Sequence, residues 1–190
     1  MTSATFPYVA ELIGQATQRQ VPKEGPRSPM QNPWLDTPSA PPHILPMDLP
    51  HVQGFNAAAS PDERIQESLL PDPYIGCLDA PVILLGLNPG YKKGEDDRTH
   101  ADQTFRALCL ANLRQSPEDE FPFYYLNPAI QCPGRSYWES KLKQPLASLD
   151  RKATAQKVVC LQFMPYHSTV YSQRVGQLPS QAYTFHPLQL

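Results

Sequence analysis

Three short apolar runs, each bounded by turn residues, set the plan of the chain. Val82-Ile83-Leu84-Leu85 follows Ala80-Pro81 and leads into Gly86; Phe121 to Leu126 ends at Asn127-Pro128; Lys157 to Met164 carries Val158, Val159, Cys160, Leu161 and Phe163. Continuous apolar runs of this length are expected of strands buried on both faces. Elsewhere apolar residues recur at helical spacing. Thr104 to Arg114 places Phe105, Leu108, Cys109 and Leu113 on one face, and Tyr137 to Leu149 predicts a helix that Pro145 should kink or break. Ser60 to Leu70 has the opening of a helix, with Ser60 as cap, Pro61 in the first position and Glu63 as box residue. Phe6 to Gln20 predicts an amphipathic helix, with Tyr8, Leu12, Ile13 and Ala16 on one side. Strands alternating with helices imply crossovers between parallel strands. The expected fold class is α/β, a three-layer α/β/α arrangement with a short, largely parallel central sheet.

Prolines change the picture between Val21 and Pro50, where they recur at 22, 26, 29, 33, 38, 41, 42, 46 and 50. That density forbids regular helix and central strand. Trp34, Leu35, Ile44, Leu45, Met47 and Leu49 are interleaved with them, and disordered arms are poor in such residues. The segment is expected to be an extended strap over the domain. The division is then a helix over 1–20, a Pro-rich strap over 21–59 and an α/β domain over 60–190. Ser180 to Leu190 looks like a helix just starting, whose Tyr183, Phe185 and Leu188 need a surface to pack on. Three strands are few for this architecture, which predicts a C-terminally shortened version of a larger domain.

Composition narrows the chemistry. A chain of 190 residues has room for one domain with a substantial core. A formal charge of -2 does not announce a nucleic-acid partner, although a local basic patch can serve where net charge does not. Cys77, Cys109, Cys132 and Cys160 are widely spread, with no C-x-x-C pair and no histidine at zinc-finger spacing. No metal and no cofactor are expected. Met1 to Thr17 lacks the basic start and long apolar run of a signal peptide, and no stretch is apolar enough to span a bilayer. The expected setting is the reduced cytoplasm, without membrane attachment, as a monomer.

Candidate chemistry gathers where the apolar runs end, since open parallel sheets bind ligands beyond the carboxyl ends of their strands. The first run ends in Gly86-Leu87-Asn88-Pro89-Gly90-Tyr91, the second in Leu126-Asn127-Pro128, the third in Pro165-Tyr166-His167-Ser168. Each alone has a structural reading: Asn-Pro and Pro-Gly pairs make good turns, and a histidine in a Pro-flanked loop is commonly just satisfied. Independent turns need not place two carboxamides and an imidazole at three successive strand ends, and that coincidence favours a site.

Val82 to Gly90, a hydrophobic strand running into G-x-N-P-G, resembles the first motif of the uracil-DNA glycosylase superfamily in its mismatch-specific and single-strand-selective branches. Leu126-Asn127 is similar to the position where that superfamily places a base-reading asparagine. Pro73-Tyr74-Ile75-Gly76 followed by Asp79-Ala80-Pro81 resembles an uncharacterised bacterial branch. The likeness spans roughly Tyr74 to His167. Pro165-Tyr166-His167-Ser168 departs from the superfamily's His-Pro-Ser order, and its fourth strand with the DNA wedge has no counterpart before Leu190.

The resemblance implies an enzyme that hydrolyses the N-glycosidic bond of uracil or a related damaged base in DNA repair, with DNA as partner. Asn88 would orient a water, since its carboxamide has no titratable acceptor and cannot be a general base. Asn127 would pair with the pyrimidine edge, and His167 would stabilise the anion on the departing base. Gly86 belongs to the binding motif, and Tyr91 or Phe105 would stack on an everted base. Lys92, Lys93 and Arg98 alternate with Glu95, Asp96 and Asp97, which reads as a solvated mixed-charge loop more readily than as a phosphate contact; Lys141, Lys143, Arg151 and Lys152 read the same way. The alternative is a non-catalytic nucleotide or single-stranded nucleic-acid binding module on the same fold. A hydrolase using Ser168 or Cys132 with His167 ranks third, because His167 and Ser168 are adjacent and no G-x-S-x-G elbow exists.

Overall fold

In the computed structural model, which describes residues 31–116 and 120–186, three strands form one sheet: β1 (Tyr74–Ile75), β2 (Val82–Gly86) and β3 (Val158–Gln162). Their spatial order is β1-β3-β2. β2 runs parallel to β3 with Val82 opposite Val158 and Gly86 opposite Gln162, and β1 runs antiparallel with Tyr74 opposite Leu161. The central strand is buried throughout. Its side chains alternate between faces, Val158 and Cys160 entering one apolar cluster and Val159 and Leu161 the other.

Seven α-helices among the described residues supply the outer layers. They are α1 (Leu49–Ala58), α2 (Glu95–Ala101), α3 (Gln103–Leu113), α4 (Pro133–Lys141), α5 (Lys143–Ser148), α6 (Arg151–Lys157) and α7 (Gln181–Thr184). Phe105 and Cys109 of α3, Trp138 of α4 and Ala155 of α6 pack on the first face of the sheet. Val52 of α1, Trp34, Ile44 and Leu45 cover the second, joined by Tyr183 of α7. Tyr166 fixes this cover, accepting from the Leu45 N–H at 3.1 Å and donating to Asp48 at 2.7 Å. None of the described helices is long and apolar enough to cross a membrane.

Several expected elements differ, for physical reasons. Phe121 to Leu126 is not a strand: Tyr124–Leu126 is a 3₁₀ turn, and Phe123, Tyr124 and Leu126 are fully buried. A short apolar run reports burial without specifying the backbone. Ser60 to Leu70 is not a helix. The capping contacts do form, with the Glu63 carboxylate accepting from Ser60 Oγ at 2.7 Å and Ser60 N at 3.3 Å. Beyond them the backbone is bonded elsewhere: Gln66 N–H donates to His167 O at 2.9 Å and Glu67 O accepts from His43 N–H at 2.7 Å. Tyr137 to Leu149 is two helices, α4 and α5, parted at Leu142, and Pro145 lies in the first turn of α5, where no N–H is needed. β2 is not buried on both faces; Leu85 is 68% exposed because it looks into an open cleft. The strap contains a 3₁₀ turn at Pro33–Asp36 and gives way to α1 at Leu49, short of the expected limit at 59. The helix expected over Phe6 to Gln20, the strap before residue 31 and Leu188 lie outside the described residues.

Candidate functional site

Beyond the carboxyl ends of β2 and β3 opens a cleft of about 730 Å³. Its walls come from the loop after β2 (Asn88, Tyr91), the end of β3 (Gln162), the loop that follows (His167), the segment before β1 (Asp72) and α2 (Asp96). This is where an open α/β sheet places ligands.

Asn88 is pinned across two strand-end loops. Its Nδ2 donates to Ser168 O, Ser168 Oγ and Pro89 O, each at 3.0 Å. Both amide hydrogens are thereby used, and Oδ1 accepts nothing from the described residues. Ser168 Oγ passes its own hydrogen to Val170 O at 3.0 Å.

His167 sits deep in the wall. Nδ1 lies 2.9 Å from Gly90 O, Nε2 lies 3.1 Å from Leu70 O, and Asp72 Oδ2 is 3.9 Å from Nε2. Both close partners are carbonyl oxygens, so each ring nitrogen is already directed at an atom of the wall. Neither nitrogen is then left for a ligand. His100 meets the ring of His167 edge-on at 4.8 Å, and its own buried Nδ1 has no partner among the described residues. Burial first, then the charges of His167 and Arg106, push the His100 imidazolium down to about 2.

Two carboxyl groups share the cleft. Asp72 is fully buried and accepts from Tyr124 Oη at 2.6 Å and Tyr125 Oη at 3.2 Å. Burial raises its pKa, while His167 and the two hydroxyls pull it back part of the way. Asp96 accepts from Lys92 N–H at 2.5 Å and is also raised, chiefly by burial. Gln162 lies across the end of β2: a Cβ on Gly86 would stand 2.1 Å from Gln162 Oε1. That oxygen is buried and unpartnered among the described residues.

The expected site residues divide. Asn88, Gly86, Tyr91 and His167 meet at the cleft. Tyr91 stands on the rim, its hydroxyl donating to the Asp97 carboxylate at 3.1 Å. Asn127 is turned away, with Oδ1 accepting from Ala129 N–H at 3.0 Å within its own turn. Because the segment before it is a turn and not a strand, its end has no register with β2 and β3. Phe105 is 3% exposed and packs on His100, Tyr124 and Tyr125; it is a core residue whose remaining edge borders a different cleft. Cys132 lines a separate cleft beside Glu95, Arg98 and Asp102. Neither Ser168 nor Cys132 has a free His167 nitrogen to activate it.

Sequence reasoning missed Asp72, Asp96, Gln162 and Tyr125. Two had a readable signal. Asp72 is an acid held between prolines just before a buried strand, and Gln162 is a lone carboxamide in an apolar run. Among the described residues no group of three or more His, Cys, Asp or Glu is placed to hold a metal, and all four cysteines are free thiols. The chain matches no protein-family model, no curated protein and no solved structure.

Proposed function

We propose that the cleft binds a nucleobase and that the chain is a DNA glycosylase of the uracil-DNA glycosylase kind, hydrolysing the N-glycosidic bond of uracil or a related damaged base. The observation that carries this reading is the Asn88 carboxamide. Its nitrogen is locked by three backbone and hydroxyl oxygens, which leaves Oδ1 as a fixed acceptor on the cleft wall. A water hydrogen-bonded there is oriented but not deprotonated, because a carboxamide takes no proton near neutral pH.

The proton needs a carboxylate. Asp96 is the partly open one of the two in the cleft. In this scheme the water oxygen bonds to the sugar carbon, and the electron pair of the C–N bond leaves with the base. The water's proton passes to Asp96 and the base anion takes one from solvent. Tyr91 on the rim supplies an aromatic face for the everted base. The likeness of Val82 to Gly90 to the superfamily's first motif points the same way.

A second reading, a binding module without hydrolysis, rests on His167. With both ring nitrogens directed at carbonyl oxygens it has no donor left for a departing base. Alkaline strand scission of end-labelled uracil oligonucleotides, single and double stranded, separates the two readings. Scission by the wild type that falls at least a hundredfold in a folded Asn88→Ala variant supports the glycosylase. Binding without scission at high protein concentration supports the module, and neither binding nor scission rejects both.

A further inference from the structure

We propose that Gln162 reads the hydrogen-bonding edge of the ligand, selecting a planar ring that carries an N–H beside a carbonyl. The inference rests on the cleft being a nucleobase site and assigns to Gln162 the part expected of Asn127.

Three observations lead here. Gln162 closes a strand otherwise made of valine, cysteine and leucine, and it is 4% exposed while lining the cleft. Its Oε1 is buried with no hydrogen-bond partner among the described residues. A leucine or methionine would fill the same volume without desolvating a polar group for nothing, so packing alone does not call for a carboxamide. Finally, β2 gives up a side chain to make room for it. The Gly86 backbone is not in the left-handed region, so no turn demands glycine there; a Cβ at this position would stand 2.1 Å from Gln162 Oε1 and push the amide out of its place.

A carboxamide offers one donor and one acceptor side by side, the complement of an adjacent C=O and N–H. Its terminal torsion is soft, so the amide turns in place to meet a ring entering from the cleft. The unpartnered oxygen is the half that requires an N–H from the ligand. Asn127 cannot compete for this part, since its oxygen is engaged in its own turn.

The test uses the full chain and two fluorescent single-stranded oligonucleotides that differ at one base, uracil or 3-methyluracil, both on 2′-fluoro sugars to slow cleavage. The methyl group removes the N–H and leaves the ring and carbonyls. Anisotropy titration of the wild type should favour uracil by about tenfold, the worth of one ordinary hydrogen bond. Gln162→Leu should bring the ratio to within about twofold of unity. Gly86→Ala, which keeps the carboxamide but pushes it aside, should do the same and serves if the leucine variant fails to fold. A Gln162→Leu or Gly86→Ala protein that keeps the wild-type preference overturns the assignment. A wild type that binds both oligonucleotides equally also overturns it while leaving the base site standing. A wild type that binds neither rejects the nucleobase reading, and the inference with it.

Discussion

Replacing Asp72 by asparagine should make the protein more stable as the pH rises, and the structure sets the size of the effect. The carboxyl group is fully buried and accepts two tyrosine hydroxyls, from Tyr124 at 2.6 Å and Tyr125 at 3.2 Å. Asparagine keeps the shape. Its oxygen still receives the Tyr124 hydrogen, and the Tyr125 hydroxyl can turn to accept from the new amide. What is lost is the charge. Burial raises the Asp72 pKa above its ordinary 3.8 despite the opposing pull of His167 and the hydroxyls. A folded state with the higher pKa holds a proton that the unfolded chain has released. Asp72 therefore contributes stability that is fully present below pH 3.8 and is lost as the pH climbs through its folded value. The uncharged amide of the variant does not titrate and loses nothing over that range. The stability of Asp72→Asn relative to wild type should grow by up to about 1.4 kcal/mol per pH unit across that window, then level off. Urea denaturation of both proteins from pH 4 to pH 8 measures it. Parallel curves, or a variant that weakens as the pH rises, would show that burial does not raise the Asp72 pKa.

The remaining predictions concern buried groups and close packing around the sheet. His100 keeps its ring neutral, with a folded pKa of about 2 against 6.5 unfolded, so stability present above pH 6.5 should fall below it by about 1.4 kcal/mol per pH unit; His100→Phe should flatten that slope, read by the same urea series. Asn112→Ala should cost about 3 kcal/mol in urea denaturation, because the Gly76 N–H (3.0 Å) and the Tyr74 carbonyl (2.7 Å) lose their partners in the core. Gly134→Ala sets a Cβ 2.3 Å from Tyr125 Cε1 and should cost about 1–3 kcal/mol in the melting transition. A cost near zero would show that Tyr125 is free to move off Asp72.

Much of the frame could be read from hydrophobic pattern, because β2 and β3 are continuous apolar runs and α3 keeps strict helical spacing. The pattern failed where burial comes without regular structure. Phe121 to Leu126 is as apolar as a strand, yet it is a turn packed under α4 and α6, and the error carried Asn127 to a strand end that does not exist. Ser60 to Leu70 carries a sound capping box, but its backbone bonds to distant segments that no local signal reveals. Asn88, Tyr91 and His167 were legible because they follow strands directly. Asp72 and Gln162 left only a partial signal, an acid between prolines and a lone carboxamide in an apolar run; what marks them as site residues is a buried charge and a missing partner, and both depend on who the neighbours are.

The proposed base site is the cleft beyond β2 and β3. A single-stranded oligonucleotide with one 5-iodouracil, irradiated on the protein and mapped by mass spectrometry of the digested adduct, tests this most directly. The expected result is attachment to the aromatic residues of that cleft, Tyr91 on the rim or Tyr137 and Trp138 of α4. Adducts confined to residues away from the cleft, or bound oligonucleotide that forms none, would contradict it.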